Sequence, residues 1–166
     1  MRTFIAFALQ LILLTSFANA QSSTAAVKEF GLFGTWALDC GQPPGPANAY
    51  VNFTLTSEGT VELRDSFGPD YDEMVYRVVE ARRVGAFRLA MRQVLATDER
   101  IVLETETLRT RDRIRNWSSR FSDGSGTLVE DGRMPADEGH ETAWMARCDL
   151  RRADDIDSVP TKDGHL

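Results

Sequence analysis

Cysteine, histidine and lysine are scarce in this chain, and each scarcity narrows the chemistry open to it. With two cysteines and two histidines in 166 residues, the convergent His, Cys and carboxylate ligands of a zinc site are hard to assemble. A Ser-His-Asp set would have to use His140, beside Glu138 and Glu141, and no G-x-S-x-G elbow accompanies it. His140 therefore reads as a solvated loop residue. No phosphate-cradling glycine loop is present either. These gaps lead to the expectation of a non-enzymatic protein with no metal and no cofactor. Lysine occurs only at Lys28 and Lys162, and genomic composition accounts for that arginine bias. The formal net charge of −6 argues against a nucleic-acid partner. Beyond residue 20 no apolar run approaches the roughly 20 residues of a membrane helix, so no transmembrane segment is expected in the mature chain.

The first twenty residues have the form of a secretory signal. Arg2 gives the positive start, Phe4 to Leu14 is apolar apart from Gln10, and Ala18-Asn19-Ala20 offers a small-x-small cleavage site. Cleavage after Ala20 implies a periplasmic or secreted protein. In such a compartment Cys40 and Cys148 pair by default. The bridge would close a loop of about 108 residues, for which chain entropy gives on the order of 4–5 kcal/mol. The alternative, two free thiols with one reactive, lacks a histidine near either cysteine.

The remaining chain is patterned with period 2, not 3.6. Candidate strands cover 32–40, 50–56, 60–67, 73–84, 86–95, 100–109, 113–121, 127–130 and 142–150, separated by short turns and one loop, Asp131 to Glu141. Residues 21–30 read as a flexible lead-in, 31–150 as one domain and 151–166 as a disordered charged tail. Repeated hairpins without long crossovers predict an all-β, up-and-down antiparallel meander closed into a small barrel of about eight strands. Closure would set the two cysteines on neighbouring strands. The nine candidates, an odd number, make the first and last strands parallel unless one candidate is no barrel strand or the last is an add-on. A parallel register would also bring Trp36 alongside Trp144.

Gly34-Thr35-Trp36 resembles the G-x-W signature of lipocalins and related calycin barrels. The resemblance implies a tryptophan plugging the closed barrel end with a late arginine across it, here Trp36 and Arg147. The chain also resembles small secreted proteobacterial proteins of unassigned function. These open with G-T-W-x-x-D-C (Gly34 to Cys40), carry an R-x-W-S-S-R-like segment (Arg115 to Arg120) and close with W-x-x-R-C (Trp144 to Cys148).

Charge is distributed unevenly between the expected barrel ends. One end would gather Arg82, Arg83, Arg109, Arg111 and Arg113 as a candidate anion rim. Asp131, Asp137, Glu138 and Glu141 on the same face would balance it under the alternative reading. The other end collects Asp70, Asp72, Glu73, Asp98, Glu99 and Asp123. Glu104 and Glu106, two apart on one strand, are expected to face solvent opposite arginines. Three functions remain in view. The first is a barrel binding a small apolar or amphipathic ligand. The second is an inhibitor or interaction module that presents Gln42-Pro43-Pro44-Gly45-Pro46 to an envelope protein such as a hydrolase. The third is a barrel filled by inward candidates Phe53, Phe87, Met91 and Trp117.

Overall fold

A computed structural model describes residues 23–148. The expected signal segment, residues 1–20, and the expected tail, 151–166, lie outside the described residues. Eleven strands follow one helical turn region, α1, at residues 23–30. They are β1 (Gly34–Ala37), β2 (Tyr50–Leu55), β3 (Val61–Ser66), β4 (Met74–Arg83), β5 (Arg88–Leu95), β6 (Val102–Arg109), β7 (Arg113–Phe121), β8 (Thr127–Val129), β9 (Arg133–Met134), β10 (His140–Glu141) and β11 (Met145–Arg147).

Strands β1 to β7 pair in sequence order, and β11 closes the ring by pairing with both β7 and β1. Every ladder is antiparallel. The result is an all-β, up-and-down, eight-stranded closed barrel with one disulfide, consistent with a lipocalin-like fold. The parity difficulty resolves because β8 is not a barrel stave. It pairs with Ser119 and Arg120 of β7, while β11 takes Arg113 and Ile114 at the other end of the same strand. The closing strand is therefore antiparallel to β1, and Trp36 lies opposite Arg147 rather than beside Trp144. The loop after β8 is also not featureless, since Met134 pairs with His140 and Arg133 with Glu141 in a small hairpin.

Cys40 and Cys148 are bonded, with Cα atoms 5.3 Å apart. Alternation puts Trp36, Phe53, Leu63, Tyr76, Val78, Leu89, Met91, Leu103 and Ile114 into one buried cluster. Burying each large apolar side chain contributes about 1.5–3 kcal/mol. Of the four expected fillers, Phe53 and Met91 are inside. Phe87 is not: it is 65% exposed, because it falls in the turn before β5 where strand alternation has not begun. Trp117 departs as well. Ser118 pairs with Glu106 and Asn116 with Thr107, so Trp117 is the extra residue of a β-bulge. Its ring lies between the guanidiniums of Arg88 and Arg115, 5.9 and 5.4 Å away.

Polar residues interrupt the inward face: Gln93, Thr105, Thr107 and Ser119 are buried there, and a carboxyl group joins them. Asp65 follows buried Val61 and Leu63 at period 2, and stands opposite Val51 and Met74. Burial pushes its carboxyl up to about 6, and that charge in turn helps burial raise the phenol of Tyr76.

Candidate ligand site at the helix-capped end

Residues 21–30, expected to be flexible, instead supply a helix over residues 23–30 that is docked on one end of the barrel. Its C-terminus is a Schellman motif. Leu32 N–H donates to the Val27 carbonyl (3.2 Å) and Gly31 N–H to the Lys28 carbonyl (2.9 Å), with Gly31 at φ +74°. Val27 and Leu32, brought together by that motif, are both fully buried. Further bonds reach three different hairpins. Thr24 Oγ1 donates to the Gly59 carbonyl, Ser23 Oγ accepts from Ala81 N–H, and Arg109 donates to the Phe30 carbonyl. The helix thus covers the end at which the β2–β3, β4–β5 and β6–β7 turns meet.

The cap rests near the G-T-W segment. Trp36 Nε1 donates to the Leu32 carbonyl (2.8 Å), and the Arg147 guanidinium lies 5.8 Å from the Trp36 ring. The indole has no exposed surface. Arg147 and Trp36 thus meet across the β1–β11 ladder, where they stand opposite each other.

The five expected rim arginines divide. Arg83, Arg109 and Arg111 converge on a hollow of about 220 Å³, with Glu29, Phe30, Ala86, Phe87 and Thr110 completing its wall. Arg83 lies over the Phe30 ring at 5.6 Å and donates to the Ala86 carbonyl. Arg109 presses under Gly31, and its Nε is buried without a hydrogen-bond partner. Arg82 lines a different depression on the outer wall. Arg113, at the start of β7, is exposed opposite Ala146 and is not part of the hollow's wall.

The acids expected to balance the rim are engaged elsewhere or stand apart. Glu141 pairs with Arg115 and Arg133, at 3.2 and 3.1 Å, and Asp137 lies beside His140. Among the described residues, no ion pair joins any of these acids to Arg83, Arg109 or Arg111. The hollow thus combines aromatic surface with cationic donors, offset only by Glu29. Comparison with protein families, curated proteins and solved structures returned no match.

Phe30 and Phe87 escaped the sequence reading as site residues. Phe30 falls in a segment whose sequence reads as a flexible lead-in, and the alternation of residues 86–95 points Phe87 inward, whereas it is exposed. The signal for the first was available: Ala25-Ala26-Val27-Lys28-Glu29 are good or fair helix residues followed by Gly31.

Elsewhere the expected carboxylate stripe is in place. Glu104 pairs with Arg120 at 2.6 Å and Glu106 with Arg88 at 3.2 Å, across neighbouring strands. At the opposite barrel end Asp98 is held down to about 2 by its hydrogen bonds from Arg100. The Gln42–Pro46 loop is tied by Asn48, whose amide donates to the carbonyls of Asp39, Gln42 and Pro43. Tyr50 Oη adds a 2.7 Å bond to Gln42. Among the described residues no group of three or more His, Cys, Asp or Glu side chains comes together as a metal would require. No helix there is long and apolar enough to cross a membrane.

Proposed function

We propose that the protein is an exported, non-enzymatic barrel that binds a small amphipathic anion at its helix-capped end. The observation that carries this reading is the hollow between Phe30 and Phe87, with Arg83 and Arg111 on its rim. The inward-facing side chains pack into a single cluster, which favours a site at the end of the barrel over one within it. An apolar cavity of about 150 Å³ accepts benzene. A hollow of about 220 Å³ suits a short acyl or single-ring group with a carboxylate or phosphate head. The guanidiniums supply charge-assisted donors for the head, and the phenyl rings receive the apolar part. The signal-like leader and the paired cysteines support a periplasmic or secreted location.

Amide NMR titration with octanoate tests the proposal, with octylammonium as the control of opposite charge. Octanoate should shift residues 84–87 and 110–111, and Arg111→Ala should weaken it about fivefold. Equal binding of the two probes, or shifts confined to other regions, would overturn it.

A second reading rests on a separate observation. The Gln42–Pro46 loop, fixed by Asn48 and Tyr50, is pre-ordered for contact with an envelope protein. Replacement of the loop by glycine and serine should then abolish capture of that protein.

A further inference from the structure

The outer wall of β4 to β8 carries a larger depression than the end site, about 610 Å³ in volume. Two cross-strand rows form it. One runs Glu80, Arg92, Glu104, Arg120, and the next Arg82, Ala90, Glu106, Ser118. The depression exists because Ala90 and Ser118 are short, while the residues around them are long. Its charges are not all neutralised. Glu104 and Glu106 are taken by Arg120 and Arg88. Arg82 and Arg92 on one side, and Glu130 and Asp131 on the other, take no part in the ion pairs of the described residues. Glu80, opposite Arg92, is likewise unpaired and leaves the arginine side with one net positive charge. Asp131 and Gly132, at φ +48° and +73°, are the two central residues of a tight Asp-Gly turn closed by reciprocal hydrogen bonds between Glu130 and Arg133, which fixes the backbone that carries both acids.

We infer that this groove binds a short peptide with both ends free. Arg82 and Arg92 would receive the terminal carboxylate, and Glu130 and Asp131 the terminal ammonium. The dimensions agree. The acids follow β8, three to four strand spacings from the arginines, or about 14–19 Å at about 4.8 Å each. An extended tetrapeptide spans roughly 13 Å, and long side chains close the remaining gap. A polar groove with opposite charges at its two ends discriminates by leaving a charge unpaired when either end of the ligand is blocked.

Calorimetry on the disulfide-bonded chain, using tetra-alanine, its N-acetyl form and its C-terminal amide, tests the inference. Blocking either end should weaken binding at least about fivefold. In Arg92→Gln the amide and the free peptide should bind alike. In the double variant Glu130→Gln, Asp131→Asn the acetylated and free peptides should bind alike. All three substitutions are on the surface, and unchanged melting curves would confirm that each variant is folded. Equal binding of free and blocked peptides, or no heat up to about 10 mM, would overturn the inference. So would peptide-induced amide shifts outside residues 80–92, 104–106 and 118–131. Octanoate binding at the helix-capped end is independent of every one of these outcomes.

Discussion

Two arginines on either side of one turn use the same device on opposite faces of the barrel wall. Arg109, at the end of β6, presses under Gly31, and Arg115, in β7, presses under Gly132. Both glycines are left-handed, at φ +74° and +73°, and a Cβ on either would lie 2.5–2.6 Å from a guanidinium nitrogen. Both arginines also bury an Nε without a partner. Their tasks differ. Arg109 fastens the N-terminal helix through a backbone carbonyl. Arg115 fastens the β8–β10 excursion through the rings of Trp117 and Trp144, at 5.4 and 5.0 Å, and through Glu141. An arginine with a long apolar stem and a planar head suits both seams. Both seams carry hydrogen bonds to backbone carbonyls, at Phe30 in the first and at Trp117 and Asn116 in the second, and only the second adds stacking between tryptophans and an ion pair through its arginine.

The strongest challenge to this comparison is to remove the covalent closure and ask whether the two seams suffice. Replacing both Cys40 and Cys148 by serine should cost about 4 kcal/mol in urea denaturation. A loss below about 1 kcal/mol would mean that the non-covalent seams already restrict the unfolded chain. Next come the arginines themselves. Arg115→Ala should cost about 3 kcal/mol, because stacking, an ion pair and stem burial are lost together. Arg109→Ala should cost about 2 kcal/mol, since it leaves the Phe30 carbonyl short of a donor. Hydrogen exchange distinguishes the two: protection should fall locally at residues 130–144 in the first and at 23–32 in the second. Salt should weaken only the seam containing Glu141.

Asp65 gives a control inside the wall, away from both seams. Burial pushes its folded carboxyl up to about 6, against 3.8 for the ordinary group. Folding therefore favours the protonated form. The contribution of Asp65 to stability is fully present below about pH 4, falls as the pH rises towards 6, and stays lost above it. Asp65→Asn should stabilise the protein by about 2 kcal/mol at pH 8 and by little at pH 4, read from melts at both pH values. The smallest effects belong to the glycines. Gly31→Ala and Gly132→Ala should each cost about 1–2 kcal/mol from the left-handed backbone. A larger cost at either would show that its arginine cannot swing aside from the added methyl group.

The barrel was legible because its staves alternate cleanly. Val61 and Leu63, or Leu89 and Met91, mark an inward face without any three-dimensional information. The closing arrangement was not legible. Strands of two or three residues, such as β9 and β10, carry too few positions to display a period. Without them the excursion reads as loop, and the pattern alone does not say which of the nine candidates is no barrel strand. Trp117 was misplaced for a related reason, since a bulge reverses the alternation that assigns faces. The helix was hidden by its brevity and revealed by its cap. Arg83, Arg109 and Arg111 line one hollow near the turns that carry them, whereas Arg82 faces the outer wall because adjacent residues on a strand point to opposite sides.

The late position of the closing stave has a consequence for how the chain matures. Synthesis runs from the N-terminus, so β1 emerges with one of its two neighbours missing for more than a hundred residues. Until β11 arrives, an unpaired edge stays open and Cys40 has no partner. Closure and cross-linking therefore fall at the same late moment, and the loop-closure entropy is met only then. A chain cut short before residue 145 would retain an exposed edge and a reactive thiol together. Arrival of the final strand thus pairs the edge of β1 and places Cys148 beside Cys40 in one event.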